Sequence, residues 1–189
     1  MSSTETFLRK PAHGLLMVIV ITALAMGLCG CPYNSVYQLD DTPQIAVDTE
    51  LLGNWETYME LEIGHPQKIT LNLSTSDDPN QYNISCSGYF GRKNKKGVAQ
   101  KDTISGVAFF SDVKQRRFVN VQLFKRTYIA EFVYENDEIS FLPLSEHFTT
   151  FIIKSNLTLR RLIDYHFDTR MYPLYDETFS LQKMKRVKE

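Results

Sequence analysis

Cysteine is scarce in this chain and builds no framework. Of 189 residues only three are cysteine: Cys29 and Cys31 at the end of one apolar run, and Cys86 alone. Disulfide-stapled secreted folds carry larger, even sets. Charge of one sign is lacking too. Twenty-one Lys and Arg face 22 Asp and Glu, a net charge of −1, which does not support a nucleic-acid partner, since such domains usually carry a basic patch. The four histidines (His13, His65, His147, His166) show no H-x-x-x-H or other familiar metal spacing. No G-x-S-x-G, phosphate-binding loop or dinucleotide fingerprint occurs. Hence no catalytic residue, metal or cofactor is expected, and the chain is read as a non-enzyme. Long apolar runs are absent as well: the longest uncharged one, residues 15–28, falls short of the roughly 20 residues that a bilayer span needs.

What is present begins with that run. Arg9 and Lys10 precede it, no acid lies between Glu5 and its end, and small residues lead to a cysteine. This is the three-part layout of an export signal and does not belong to the fold. Leu28, Cys29, Gly30 and Cys31 match, in order, the aliphatic, tolerant, small and acceptor positions of a lipobox. The first thirty-one residues therefore resemble a bacterial lipoprotein signal. Cys29 is a rival acceptor, but Leu28 would then stand where a small residue is wanted. The resemblance implies diacylglycerol on the Cys31 sulfur, cleavage before Cys31 and acylation of the new amine, with the membrane as partner. Two or three acyl chains hold a domain durably, each buried methylene contributing about 0.8 kcal/mol. Pro32 rather than Asp follows the acceptor, which in Gram-negative lipoproteins implies the outer membrane, inner leaflet, facing the periplasm.

Removing residues 1–30 takes away Arg9, Lys10 and Glu5, leaving 19 cations against 21 acids, a side-chain charge of −2. The 159 remaining residues make one ordinary domain with room for a sizeable core. With Cys31 acylated, Cys86 is the one remaining thiol and no internal disulfide can form. Its alternating apolar run marks it as a buried structural residue. Residues 31–49 are polar, contain Pro43 and show no periodicity, so they read as a tether, at most about 60 Å long when extended. Residues 50–189 form a single β-rich domain.

Within that domain the period is two. Trp55, Thr57, Met59 and Leu61 alternate with Glu56, Tyr58, Glu60 and Glu62, as a half-buried strand requires. Ile69, Leu71 and Leu73 repeat the pattern, then Tyr82, Ile84 and Cys86. Further strands fall near 103–111, 119–123, 128–134 and 139–141, the last two joined by Asn136-Asp137. Residues 147–153 read as another strand, and a last one near 178–185 carries Phe179 and Leu181 inward. A single helix is expected over about 156–167, capped by Ser155 or Asn156, with Arg160 and Asp164 spaced as an i,i+4 pair. Nine short strands and one late helix indicate a mostly β fold. The expectation is an antiparallel up-and-down barrel with one short C-terminal helix; a β-sandwich is the alternative. Barrel closure removes exposed edges.

Leu52-Gly53-Asn54-Trp55 resembles the G-x-W start of lipocalins and related calycin barrels. The resemblance implies that the glycine permits the turn into the first strand and the tryptophan plugs the closed end against a basic residue of the last strand. Lys183 has the right parity; Lys185 and Arg186 are the other candidates. The T-D-Y motif is missing, Arg126-Thr127-Tyr128 being the nearest approach. A cup of this kind would hold a small apolar ligand, lined by Trp55, Tyr82, Tyr128, Phe132, Tyr134 and Phe141. A filled barrel would instead serve as a structural or interaction subunit with an envelope protein as partner. The densest charge cluster, Arg92, Lys93, Lys95 and Lys96 between Gly91 and Gly97, suits a soluble hairpin tip or contact with anionic headgroups. Asp164 and Asp168, offset from His166, and the acids Glu56, Glu60 and Glu62 read as solvated faces.

Overall fold

The computed structural model describes residues 32–60, 66–89, 100–170 and 173–187. Eight antiparallel strands close into a barrel: β2 (Gly53–Glu60), β3 (Pro66–Thr75), β4 (Tyr82–Gly88), β5 (Asp102–Val113), β6 (Arg116–Leu123), β7 (Arg126–Glu135), β8 (Glu138–Pro143) and β9 (Leu181–Arg186). Neighbours in sequence are neighbours in the sheet, and β9 pairs with both β8 and β2 to complete the ring. A two-residue strand, β1 (Asn34–Ser35), pairs with Thr127 and Tyr128 of β7, just beyond the point where β8 ends its pairing at Ala130. One helix, α1 (Asn156–Thr169), precedes β9. The barrel, not the sandwich, is the fold, and it is consistent with a lipocalin-like barrel.

Two apolar cores result. The first fills the barrel with the inward parity of every strand: Trp55, Leu71, Leu73, Tyr82, Ile84, Phe110, Val119, Phe132, Ile139, Phe141 and Met184. The second lies outside the wall of β5–β7, where Val113, Phe118 and Ile129 meet Leu159 and Ile163 of α1, with Leu39, Leu144, Phe148 and Leu174. Strands β5 to β7 are apolar on both parities because both of their faces are covered.

Several expectations are corrected. Residues 31–49 were expected to be a loose tether, but from residue 32 the chain lies on the barrel. Pro32 bridges Ser145, the Tyr33 amide donates to Leu144 O at 2.8 Å, and Leu39 is buried in the outer core. The Leu39 amide donates to Asn120 Oδ1 at 2.8 Å, and Asn120, itself fully buried on β6, donates to Ser111 Oγ. A buried amide side chain must be paired, and the arm supplies its partner. Residues 147–153 are not a strand: β7 and β9 occupy both edges of β8, so no edge is left to pair with. Phe148 turns into the outer core instead, while Phe151 and Ile152 face solvent.

The last strand departs from simple alternation. Leu181 pairs with Phe141 and Met184 with Ile139, so three steps on β9 oppose two on β8. The extra residue is accommodated at Lys183, with φ 49°, a β-bulge that flips the parity beyond it. Met184 is thereby inward, Phe179 lies before the strand and partly exposed, and Arg186 takes the place expected for Lys183.

The helix runs two residues longer than expected and is capped by Ser155, whose Oγ accepts from the Thr158 amide. Arg160 does not pair with Asp164. It reaches Asp40 of the arm at 2.7 Å and the carbonyl of Asp112, while Asp164 and Asp168 face Lys114 at 3.4 and 2.6 Å.

Candidate functional site

The G-x-W segment builds the plug at one end of the barrel. Gly53 has φ +122°, and a Cβ there would stand 3.1 Å from an Arg186 guanidinium nitrogen. Glycine therefore serves both the turn and the space. Trp55 is fully buried and its indole N–H donates to Leu51 O at 2.9 Å. That carbonyl lies in a short 3-10 turn, Thr49–Leu51, capped by Asp48. The Asp48 amide donates to Tyr82 Oη at 2.7 Å, tying the turn to β4. Arg186 is the cross-strand partner of Trp55. Its guanidinium carbon lies 4.4 Å from the indole centroid, and it donates to the Leu52 carbonyl at 2.5 Å and to that of Glu50. A planar fork both stacks and donates, which lysine cannot do.

Behind the plug the expected lining residues touch one another. Ring centroids are 5.4 Å apart for Tyr82–Phe110, 4.8 Å for Phe110–Phe132 and 5.4 Å for Phe132–Phe141. Trp55 and Tyr134 meet edge-on at 6.4 Å, and Tyr134 Oη donates to Asp137 at 3.1 Å on the rim. These contacts run ring to ring from Tyr82 of β4 to Phe141 of β8 near the plug. Tyr128 shares the inward parity of Ala130 and Phe132 but sits toward the other end and is only half-buried, as are Cys86 and Val121. Burial pushes the Cys86 thiol up to about 11, so it is held as an unreactive thiol at neutral pH.

On the outer wall, Glu131 of β7 is buried and forms a clasp. Arg116 Nη1 donates to it at 3.0 Å, and the Tyr175 hydroxyl, after α1, donates to its other oxygen. Burial raises the Glu131 carboxyl above its usual range, and Arg116 opposes that shift. Arg116 also stacks on Phe167 of α1 at 4.7 Å. The clasp joins β6, β7, the helix and the segment after it; it is structural cement in a covered site. His166 lines a groove of about 190 Å³ with Phe148, Phe151, Leu162 and Tyr165, and no carboxylate lines it. Burial lowers the His166 pKa. Among the described residues, no three His, Cys, Asp or Glu come together as a metal site would require. Among them, too, no helix is long and apolar enough to cross a membrane.

Cys31 and the lipobox, His65, Glu62 and the cations Arg92, Lys93, Lys95 and Lys96 lie outside the described residues, as does the side chain of Glu60. Glu56 pairs with Lys68 at 2.5 Å, and His147 is exposed. Comparison with protein-family models, curated proteins and solved structures finds no match. Sequence reasoning missed Asn120, which looks like a solvent-facing polar residue between Val119 and Val121, and Glu131, which sits among apolar neighbours. The available signal was the flanking pairs Phe118-Val119 and Ile129-Ala130, which say that both faces are covered.

Proposed function

We propose that this chain is a lipid-anchored cell-envelope protein, held by Cys31 to the inner leaflet of the outer membrane. There it would serve as a non-enzymatic binding or accessory module built on a lipocalin-like barrel. The observation that carries the reading is in the sequence: Arg9 and Lys10 precede the apolar run 15–28, which ends in Leu28-Cys29-Gly30-Cys31, the order of a lipobox. The ring-to-ring packing near Trp55 supports a barrel that meets an envelope partner through its outer surface. A second reading, carriage of a small apolar ligand, draws on the half-buried inner wall around Tyr128, Cys86 and Val121.

The test is acyl labelling of the full chain in a bacterial host. The parent should incorporate labelled fatty acid and lose its signal, and Cys31→Ser should remain an unlabelled, uncleaved precursor. Unchanged labelling in Cys31→Ser would overturn the assignment.

A further inference from the structure

We propose that the barrel face around the exit of the N-terminal arm lies directly on the phospholipid bilayer. Val36, Phe124, Phe151 and Ile152 enter the headgroup region there, and Lys125 and Arg126 lie against the phosphates. This rests on the reading of Cys31 as the lipidated residue.

The first observation is the lack of slack. Pro32 is bridged to Ser145, Tyr33 is bonded to Leu144, and Asn34 and Ser35 pair with β7. Consecutive Cα atoms are about 3.8 Å apart, so an acylated Cys31 brings Pro32 to the headgroups. The wall around Pro32 must then face the membrane.

The second observation is what that wall displays. Val36 is 67% exposed, Phe124 94%, Phe151 66% and Ile152 78%. One groove is lined by Val36, Arg126, Glu146 and Phe151, and the adjoining one by Val36, Phe124, Lys125, Arg126 and Asp41. Val36 and Arg126 belong to both, so Val36, Phe124 and Phe151 share one face, and the exposed Ile152 follows Phe151 in the chain. Phe124 stands at the tip of the β6–β7 turn with φ 58°, a conformation bulky residues rarely adopt and one that holds the ring out from the barrel. An exposed apolar patch of this kind marks an interaction surface.

The third observation identifies the occupant. Lys125 and Arg126 follow Phe124 directly in the chain, and with Val36 and Phe124 they line one groove. Exposed apolar side chains flanked by cations suit a phospholipid surface. A protein covering the same face would have to displace the bilayer that the anchor brings to it.

The test uses the full chain, acylated in a bacterial host and reconstituted into phosphatidylcholine–phosphatidylglycerol vesicles with brominated acyl chains. Phe124→Trp and Ile152→Trp report on the patch, and Asp77→Trp reports on the β3–β4 turn at the Trp55 end. All are read relative to the parent, whose Trp55 is buried. Bromine should dim emission from positions 124 and 152 about twofold or more, as for side chains about 5–10 Å inside the boundary, and leave position 77 unchanged. Acylated protein with unquenched, water-exposed emission at 124 and 152 would overturn the proposal. Unquenched but blue-shifted emission would place a second copy of the chain on the face and overturn it as well. Absence of acyl label would instead refute the anchor itself, and with it this orientation.

Discussion

At the scale of single residues, the Gly53–Trp55–Arg186 trio explains how the barrel closes. Trp55 is the one tryptophan of the chain, buried under a guanidinium that also satisfies two carbonyls of the segment leading into β2. Cation–π stacking and charge-assisted hydrogen bonds each contribute on the order of 1 kcal/mol at an exposed rim. Arg186→Ala is expected to lower unfolding stability by about 1–2 kcal/mol, and Arg186→Lys to recover less than half of that because the fork is lost. Urea titration followed by Trp55 fluorescence reads both, and a loss below about 0.5 kcal/mol, typical of inert surface changes, would show that the stack is incidental. The glycine and tryptophan of this trio were legible through their resemblance to the G-x-W start. Arg186 was one of three candidate partners but could not be singled out, because alternation favoured Lys183 and the bulge that transfers the role to Arg186 leaves no mark in the hydropathy pattern.

At the scale of elements, strands β2 to β8 were legible from period-two alternation, and the Asn136-Asp137 turn from its residue types; both residues adopt the positive φ that such turns demand. Alternation records which side chains are apolar, not what covers them. It therefore failed where the outer wall is also buried: residues 31–49 look like a polar tether although Leu39 is 2% exposed. Residues 147–153 show the converse failure, since an apolar run makes a strand only if a sheet edge is free. The arm gives a direct prediction. Leu39→Ala removes a buried side chain from a close-packed core and should cost about 2–3 kcal/mol by urea titration. A cost below about 0.5 kcal/mol would mean that the arm hangs free of the barrel.

At the scale of the whole molecule, the fold is a closed eight-stranded barrel whose outer wall is covered along β5–β7. The end near Trp55 is plugged and its interior is packed by aromatic rings. One side carries the helix and the N-terminal arm, and the arm leaves exposed Val36 in one groove with Phe124. The fold class could be read from the sequence. The difference between a lined cup and a packed core could not, because a ring that lines a cavity and a ring that packs a core have the same periodicity. The most direct test of a lipid-anchored module with a filled barrel is one native mass measurement on protein extracted from membranes in mild detergent. The expected mass is that of residues 31–189 plus the covalent diacylglycerol and N-acyl groups, with nothing else retained. A retained non-covalent apolar molecule would contradict the filled barrel, and an unacylated chain still carrying residues 1–30 would contradict the anchor.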